Sequence, residues 1–135
     1  MKLAHARLVT NDVAALIDFY RNVTRMASVG DDRYAEFHGP QLTLAISSQR
    51  MINVYGASAT APQSNRSVIL DFEVADVDAE HARLRDLVGE FVQKPATQPW
   101  GNRSMLFRDP DGNLINFFAP SARAAREVDI ANQVR

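Results

Sequence analysis

The most constraining feature of the sequence is the turn Asp109-Pro-Asp-Gly-Asn113, which separates two short apolar runs at residues 105–107 and 114–118. Proline fixes φ, glycine tolerates a positive φ, and Asp and Asn side chains can bond back to the backbone. This pattern predicts a β-hairpin. If the sheet that contains it is open or cup-shaped, the inward side chains of the second strand would face any ligand. Those side chains are Leu114, Asn116 and Phe118.

The hairpin ends the second of two similar series of predicted elements. In the first series, a strand at residues 2–9 leads to a helix that starts at Thr10-Asn11-Asp12 and ends near Asn22. Three short strands follow at 26–30, 34–38 and 42–47. A strand at 68–74, a helix at 76–88, a short strand at 91–93, a loop at 95–101 and the hairpin repeat this order. The offset is about 65 residues, which predicts an internal duplication.

Residue alternation assigns the side chains of each predicted strand to two faces. In the first strand Ala4, Ala6 and Leu8 share an apolar face, whereas His5 and Arg7 lie on the opposite face. The later strand repeats the arrangement: its apolar positions are Val68, Leu70, Phe72 and Val74, and its polar positions are Asp71 and Glu73. We expect each helix to cover the apolar face of a shared curved sheet, so that the polar faces line a cup.

Composition narrows the class of protein. The 135 residues are 46% hydrophobic with a formal net charge of −1, which is typical of a soluble domain. No Lys/Arg run provides the footprint of a nucleic-acid binder, and no apolar run approaches the roughly 20 residues of a membrane span. The chain has no cysteine, and its first seven residues do not resemble a signal peptide. These features predict a cytoplasmic protein with no nucleic-acid or membrane partner.

The domain boundaries follow from the same pattern. Residues 48–66 show no regular period and are predicted to connect the two halves. We expect a single domain at 1–120, with modules at about 1–48 and 67–120. The Ala- and Arg-rich residues 121–135 are predicted to form a C-terminal helical extension.

Several motifs together resemble the vicinal oxygen chelate superfamily, which includes the glyoxalases, the bleomycin-resistance proteins and the extradiol dioxygenases. The motifs are His5-Ala-Arg-Leu-Val-Thr-Asn-Asp-Val13, Asp18-Phe-Tyr-Arg-Asn22, Val74-Ala-Asp-Val-Asp78, Trp100-Gly101 and Phe107-Arg-Asp-Pro-Asp-Gly-Asn-Leu-Ile115. The resemblance implies an α+β fold of two βαβββ modules that form a U-shaped mixed sheet, in a homodimer.

The resemblance also implies four positions at which metal-dependent members hold a divalent ion. Here those positions carry His5, Ala45, Ile69 and Asn116. Isoleucine and alanine cannot coordinate, and a neutral amide oxygen is a weak ligand. We therefore expect that the chain has no metal cofactor and is closest to the metal-free bleomycin-resistance-like branch. An alternative is a displaced metal site formed by His5 with Asp71 and Glu73.

The predicted function is binding of a small molecule, such as an antibiotic or an aromatic compound, without catalytic residues. The predicted ligand-binding residues are His5, Arg7, Tyr55, Trp100, Asn116 and Phe118. Trp100 and Tyr55 could stack on a planar ligand. Arg7 could bind an anionic group, although pairing with Asp71 or Glu73 is the preferred interpretation. The alternative function is a metal-dependent glyoxalase-like lyase, isomerase or dioxygenase with non-standard ligands.

Overall fold

The structure, a computed structural model, describes residues 1–56 and 58–120. The chain forms two compact units, Met1–Arg66 with Asp109–Gly112 and Ser67–Arg108 with the chain from Asn113 on. Each unit contains a four-stranded mixed sheet and one long helix, which confirms the predicted α+β class and the two βαβββ modules. The predicted C-terminal helix at 121–135 lies outside the described residues. None of the described helices has both the length and the apolar character needed to cross a bilayer.

The first unit has five main elements and two short helices. They are β1 (His5–Thr10), α1 (Val13–Thr24), β2 (Val29–Gly30), β3 (Tyr34–His38), β4 (Thr43–Ser48), α2 (Gln49–Ile52) and a 3₁₀ helix (Asn53–Tyr55). The strand order is β1-β4-β3-β2. β1 runs parallel to β4, whereas the other pairs are antiparallel, so that α1 and the following strands form the crossover that a parallel pair requires.

Helix α1 covers the apolar face of this sheet. Asp12 starts the helix by accepting a hydrogen bond from the Ala15 backbone N–H at 3.1 Å. One stripe of the helix is buried at Val13, Leu16, Ile17, Tyr20 and Val23. The Tyr20 ring packs against Phe37 of β3 with 6.3 Å between ring centroids. Helical spacing in the sequence predicts an apolar stripe at Val13, Leu16, Ile17 and Tyr20, and these four residues are buried.

The second unit repeats the arrangement with β5 (Ile69–Glu73), α3 (Val77–Val88), β6 (Phe91–Thr97), β7 (Arg103–Arg108) and β8 (Leu114–Ala119). Its strand order is β5-β8-β7-β6, and β5 runs parallel to β8. Asp76 caps α3 through the Ala79 backbone N–H at 3.1 Å, as Asp12 caps α1. The internal duplication is thus preserved at helix starts and in strand order.

Aromatic rings fill the core of the second unit. Phe107 of β7 lies edge-on to Phe117 of β8 at 5.2 Å between centroids, and both side chains are buried. The ring centroids of His81 on α3 and Phe91 are 4.8 Å apart, so His81 is a packed histidine at the margin of the core.

Three predicted boundaries were wrong. The strand at 26–30 is only Val29–Gly30, because α1 continues to Thr24 and ends at Arg25 in the left-handed region, with φ of 60°. The loop at 95–101 begins later, because the edge strand β6 accommodates Pro95 together with shifts in register. The connector at 48–66 contains α2, because the Ser48 side chain accepts a hydrogen bond from the Met51 backbone N–H.

A buried hydrogen bond joins α1 to the hairpin turn. The Tyr20 hydroxyl donates to Asp109 Oδ2 at 2.6 Å, and both side chains are almost fully buried. The Asp111 backbone N–H donates to the other oxygen, Oδ1, at 2.9 Å. Burial, followed by the charge of Asp109 and this hydrogen bond, raises the pKa of Tyr20 well above its usual value of 10.0. The hydroxyl therefore stays protonated and donates to the buried carboxylate.

Replacement of Tyr20 by Phe should lower the free energy of unfolding by about 1–3 kcal/mol, because the buried Asp109 carboxylate loses a donor. Urea denaturation at neutral pH measures this change. Tyr55→Phe is the matched control, since the Tyr55 side chain is exposed. Equal urea midpoints for wild type and Tyr20→Phe would contradict a stabilising role for this hydrogen bond.

The raised pKa of Tyr20 also predicts a loss of stability in alkali. The folded state retains the proton of this hydroxyl at pH values where the unfolded chain releases it. This contribution is fully present below pH 10.0 and is lost as the pH rises toward the folded-state pKa. The difference in unfolding free energy between wild type and Tyr20→Phe should therefore shrink above pH 10.0. A difference that stays constant across this range would contradict the assignment.

Candidate functional site

The face of the first sheet opposite α1 carries ionisable side chains in register. His5 of β1 and His38 of β3 are both paired with Thr43 of the intervening strand β4. Arg7 and Glu36 flank Ala45 in the next row. We call the side chains of His5, Arg7, Tyr34, Glu36 and His38 the first polar face. It arises because each strand alternates these residues with the apolar ones that pack on α1.

Glu36 is the centre of a hydrogen-bonded cluster on the first polar face. Its Oε2 lies 3.1 Å from His5 Nε2 and accepts a hydrogen bond from the Tyr34 hydroxyl at 2.9 Å. Its Oε1 lies 3.1 Å from His38 Nε2. Both carboxylate oxygens are therefore engaged by neighbours on the same face, and each histidine presents its Nε2 to the carboxylate.

These contacts favour the ionised form of Glu36. Hydrogen bonds from His38, then Tyr34 and then His5, hold the pKa of Glu36 below its usual value of 4.5. Burial, the hydrogen bond to Glu36 and its charge raise the pKa of Tyr34, whereas the positive charge of Arg7 acts in the opposite direction. The cluster is therefore an ionised carboxylate bonded to a protonated phenol, with the Arg7 guanidinium close enough to lower the pKa of Tyr34.

Arg7 has a different kind of partner. Its guanidinium carbon lies 5.9 Å from the centroid of the Tyr55 ring, which the 3₁₀ helix presents. This distance lies just inside the limit of about 6 Å for a cation–π contact. In residues 1–56 and 58–120 Arg7 forms no ion pair.

The second sheet has an equivalent face with different chemistry. Asp71 of β5 is paired with Asn116 of β8, in the position that Arg7 and Ala45 occupy in the first sheet. Asn116 Nδ2 donates to Asp71 Oδ1 at 2.9 Å. Asn116 Oδ1 is buried and has no hydrogen-bond partner in the described part of the chain. This oxygen is therefore an acceptor that a ligand or a water molecule could satisfy.

The predicted ligand-binding residues fall into the two units. His5, Arg7 and Tyr55 belong to the first unit, and there the structure brings Arg7 and Tyr55 together. Trp100, Asn116 and Phe118 belong to the second unit. Phe118 is paired with Glu73 and Ser104, and Trp100 is 70% exposed in the turn before β7. Trp100 is therefore not packed into the core of its unit.

The donor set does not fit the divalent metal that metal-dependent relatives would hold. Of the four positions, Ala45 is a fully buried side chain without a donor atom and Ile69 is a hydrocarbon. His5 is bonded to Glu36, and the amide of Asn116 donates to Asp71. Across the described ranges 1–56 and 58–120, no group of three or more His, Cys, Asp or Glu side chains could hold a metal ion.

Glu36 is the functional candidate that sequence reasoning missed. The signal was present, since Tyr34, Glu36 and His38 alternate along one predicted strand and therefore share a face. His38, the last residue of β3, also contacts Glu36. What the sequence did not reveal is that β4 pairs with both β3 and β1, which brings Glu36 within reach of His5.

In each βαβββ module the first strand pairs in parallel with the last strand, and two such modules define a class of α+β proteins. Comparisons with known proteins identify the family within this class. Residues 2–117 match the Glyoxalase/Bleomycin resistance protein/Dioxygenase superfamily, so the chain belongs to this family. The chain is 27% identical over 125 residues to the uncharacterized protein YraH of Bacillus subtilis (strain 168), covering 87% of this chain and 98% of YraH.

Solved structures agree with this assignment. A glyoxalase/bleomycin resistance protein/dioxygenase from Nocardioides superposes with a TM-score of 0.75 at 26% identity, covering 90% of this chain and 85% of that one. A glyoxalase/bleomycin resistance protein/dioxygenase family enzyme from Burkholderia phytofirmans PsJN gives a TM-score of 0.78 at 13% identity. The coverage is 88% of this chain and 98% of the Burkholderia chain. Because the identity is only 13%, this likeness shows the fold alone.

The lowered pKa of Glu36 predicts a pH-dependent contribution to stability. The hydrogen bonds to the carboxylate stabilise the fold above pH 4.5, and this contribution is lost as the pH falls through the lower folded-state pKa. Glu36→Gln should lower the urea midpoint at neutral pH, and the difference from wild type should shrink below pH 4.5. Glu90→Gln, at an exposed position after α3, is the control and should show neither effect. A pH-independent difference for Glu36→Gln would contradict the cluster.

Proposed function

We propose that the chain binds a small organic molecule on its polar sheet faces and does so without a catalytic metal. The observation that carries the proposal is the loss of donor atoms at Ala45 and Ile69, two of the four positions that the family resemblance identifies as metal ligands. A divalent ion needs several N or O ligands that converge on one point, and the two remaining side chains are an amide and a single imidazole.

The contacts of the two remaining side chains support the same proposal. His5 presents Nε2 to Glu36, and Asn116 donates its amide hydrogen to Asp71. The polar atoms of these faces are therefore arranged as hydrogen-bonding groups, which suits recognition of a ligand.

Groups that suit a small molecule remain available on both sheets. Arg7 has no carboxylate partner among the described residues, and the Tyr55 ring beside it is 66% exposed. Asn116 offers a buried carbonyl oxygen without a partner in the described chain. Small-molecule sites commonly combine apolar surface with a few such polar groups. His5, Trp100 and Phe118 complete the proposed set of ligand-binding residues.

Two further expectations belong to this proposal. A homodimer is implied by the family resemblance, and a cytoplasmic location agrees with the absence of cysteine from the sequence. Size-exclusion chromatography with light scattering tests the dimer directly.

Metal analysis of the purified protein tests the proposed function. We expect substoichiometric Ni, Zn, Mn and Fe after purification. We also expect no rise in melting temperature when each divalent ion is added, because a ligand that binds only the native state would raise it. An Asn116→Glu, Ile69→His double variant is the positive control, since it adds donors at two of the four positions.

Tight stoichiometric metal binding by the wild type, together with turnover of methylglyoxal–glutathione or catechol, would overturn the proposal. The chain would then be a metal-dependent lyase or dioxygenase with non-standard ligands. Absence of both, with a chelator-insensitive rise in melting temperature in a compound library, supports the binding function.

A further inference from the structure

Arg7 is the permanent cation of the first polar face, and its position is fixed by the sheet. It is the third residue of β1 and is paired with Ala45, whose side chain is fully buried and has no polar atom. Glu36 lies one strand farther along the same row. The two residues are therefore separated by one strand, roughly 10 Å at the usual strand spacing, a distance that the long side chains of arginine and glutamate can span.

Glu36 does not pair with Arg7, because its neighbours already engage it. The two histidines and the Tyr34 hydroxyl contact both of its oxygens at 2.9–3.1 Å. Hydrogen bonds to a carboxylate are directional, so these three contacts occupy most of its acceptor sites. Neighbours on the same face therefore engage the negative charge of Glu36, and within residues 1–56 and 58–120 the positive charge of Arg7 has no carboxylate partner.

Tyr55 holds the Arg7 side chain without using its hydrogen bonds. A cation–π contact leaves all five guanidinium N–H groups able to donate, and none of them donates to an acceptor in residues 1–56 and 58–120. A guanidinium that is already oriented loses less conformational entropy when it binds a planar anion. The exposed ring of Tyr55 also offers an apolar surface beside the charge.

We infer that Arg7 and Tyr55 form a subsite for an organic anion, in which the guanidinium binds a carboxylate through two parallel hydrogen bonds and the Tyr55 ring contacts the apolar body of the ligand. This inference rests on the proposed binding function and narrows its ligands to aromatic carboxylates. Charge-assisted bidentate pairs of this kind are among the stronger hydrogen-bonded contacts in proteins.

Calorimetric titration with 2-naphthoate and its neutral analogue 2-naphthamide tests the subsite. The two probes share a ring system and differ in charge, so we expect wild type to bind the carboxylate at least about tenfold more tightly. Arg7→Met should remove this preference, whereas Arg7→Lys should retain part of it, because lysine keeps the charge and lacks the planar fork. Arg85→Met, at an exposed position on α3, is the matched control and should behave as wild type.

The outcomes separate this inference from the proposed function. Equal affinity for the two probes, or an unchanged preference in Arg7→Met, would refute the anion subsite while chelator-insensitive binding still supports the proposed function. Failure of wild type to bind 2-naphthoate at millimolar concentration would also refute the subsite. Binding of 2-naphthoate that requires an added divalent ion would overturn the proposed function itself.

Discussion

The hydrogen bond from Tyr20 to Asp109 is the interaction on which the first unit depends. A buried carboxylate is costly unless it is hydrogen-bonded, and the Tyr20 hydroxyl together with the Asp111 backbone N–H supplies two donors. The hydrogen bond between Tyr20 and Asp109 also explains why an early Phe-Tyr helix and an Asp-Pro-Asp-Gly turn occur in one sequence. Although β7 and β8 belong to the second unit, the turn that joins them belongs to the first. Two of the five motifs that carried the family resemblance are therefore joined by one hydrogen bond.

The two modules have equivalent backbone positions, but the side chains at those positions differ in their chemistry. Asp12 and Asp76 cap the two long helices in the same way, and each first strand runs parallel to the last strand of its unit. In equivalent rows, however, Arg7 lies beside Ala45 and Asp71 lies beside Asn116. Strand register is set by packing on the apolar face, so side chains on the opposite face can change without loss of the fold. Membership of the family consequently fixes the scaffold and leaves the activity to the polar faces.

The parts of the structure that the sequence predicted are those set by local periodicity. Alternation in β1 and the stripe of α1 assigned buried and polar sides correctly, and the turn residues located the hairpin. The missed features depend on neighbours that are distant in sequence. Glu36 became a candidate only when β4 placed β3 two strands away from β1. Pro95 suggested a loop, yet the edge of the sheet tolerates a proline and a change in register. Arg7 was assigned to the correct face, but its partner, Tyr55, lies in a short helix that has no sequence periodicity.

Stability alone does not account for the arrangement of charges on the first polar face. Exposed ion pairs contribute about 0–1 kcal/mol, so the fold would gain little from pairing Arg7 with Glu36 and loses little by leaving them apart. A carboxylate that its neighbours engage, and a guanidinium that has no carboxylate partner in residues 1–56 and 58–120, therefore have a clearer explanation in recognition. Hydrogen bonds engage both oxygens of Glu36, and the Arg7 guanidinium can bind an anion from solution.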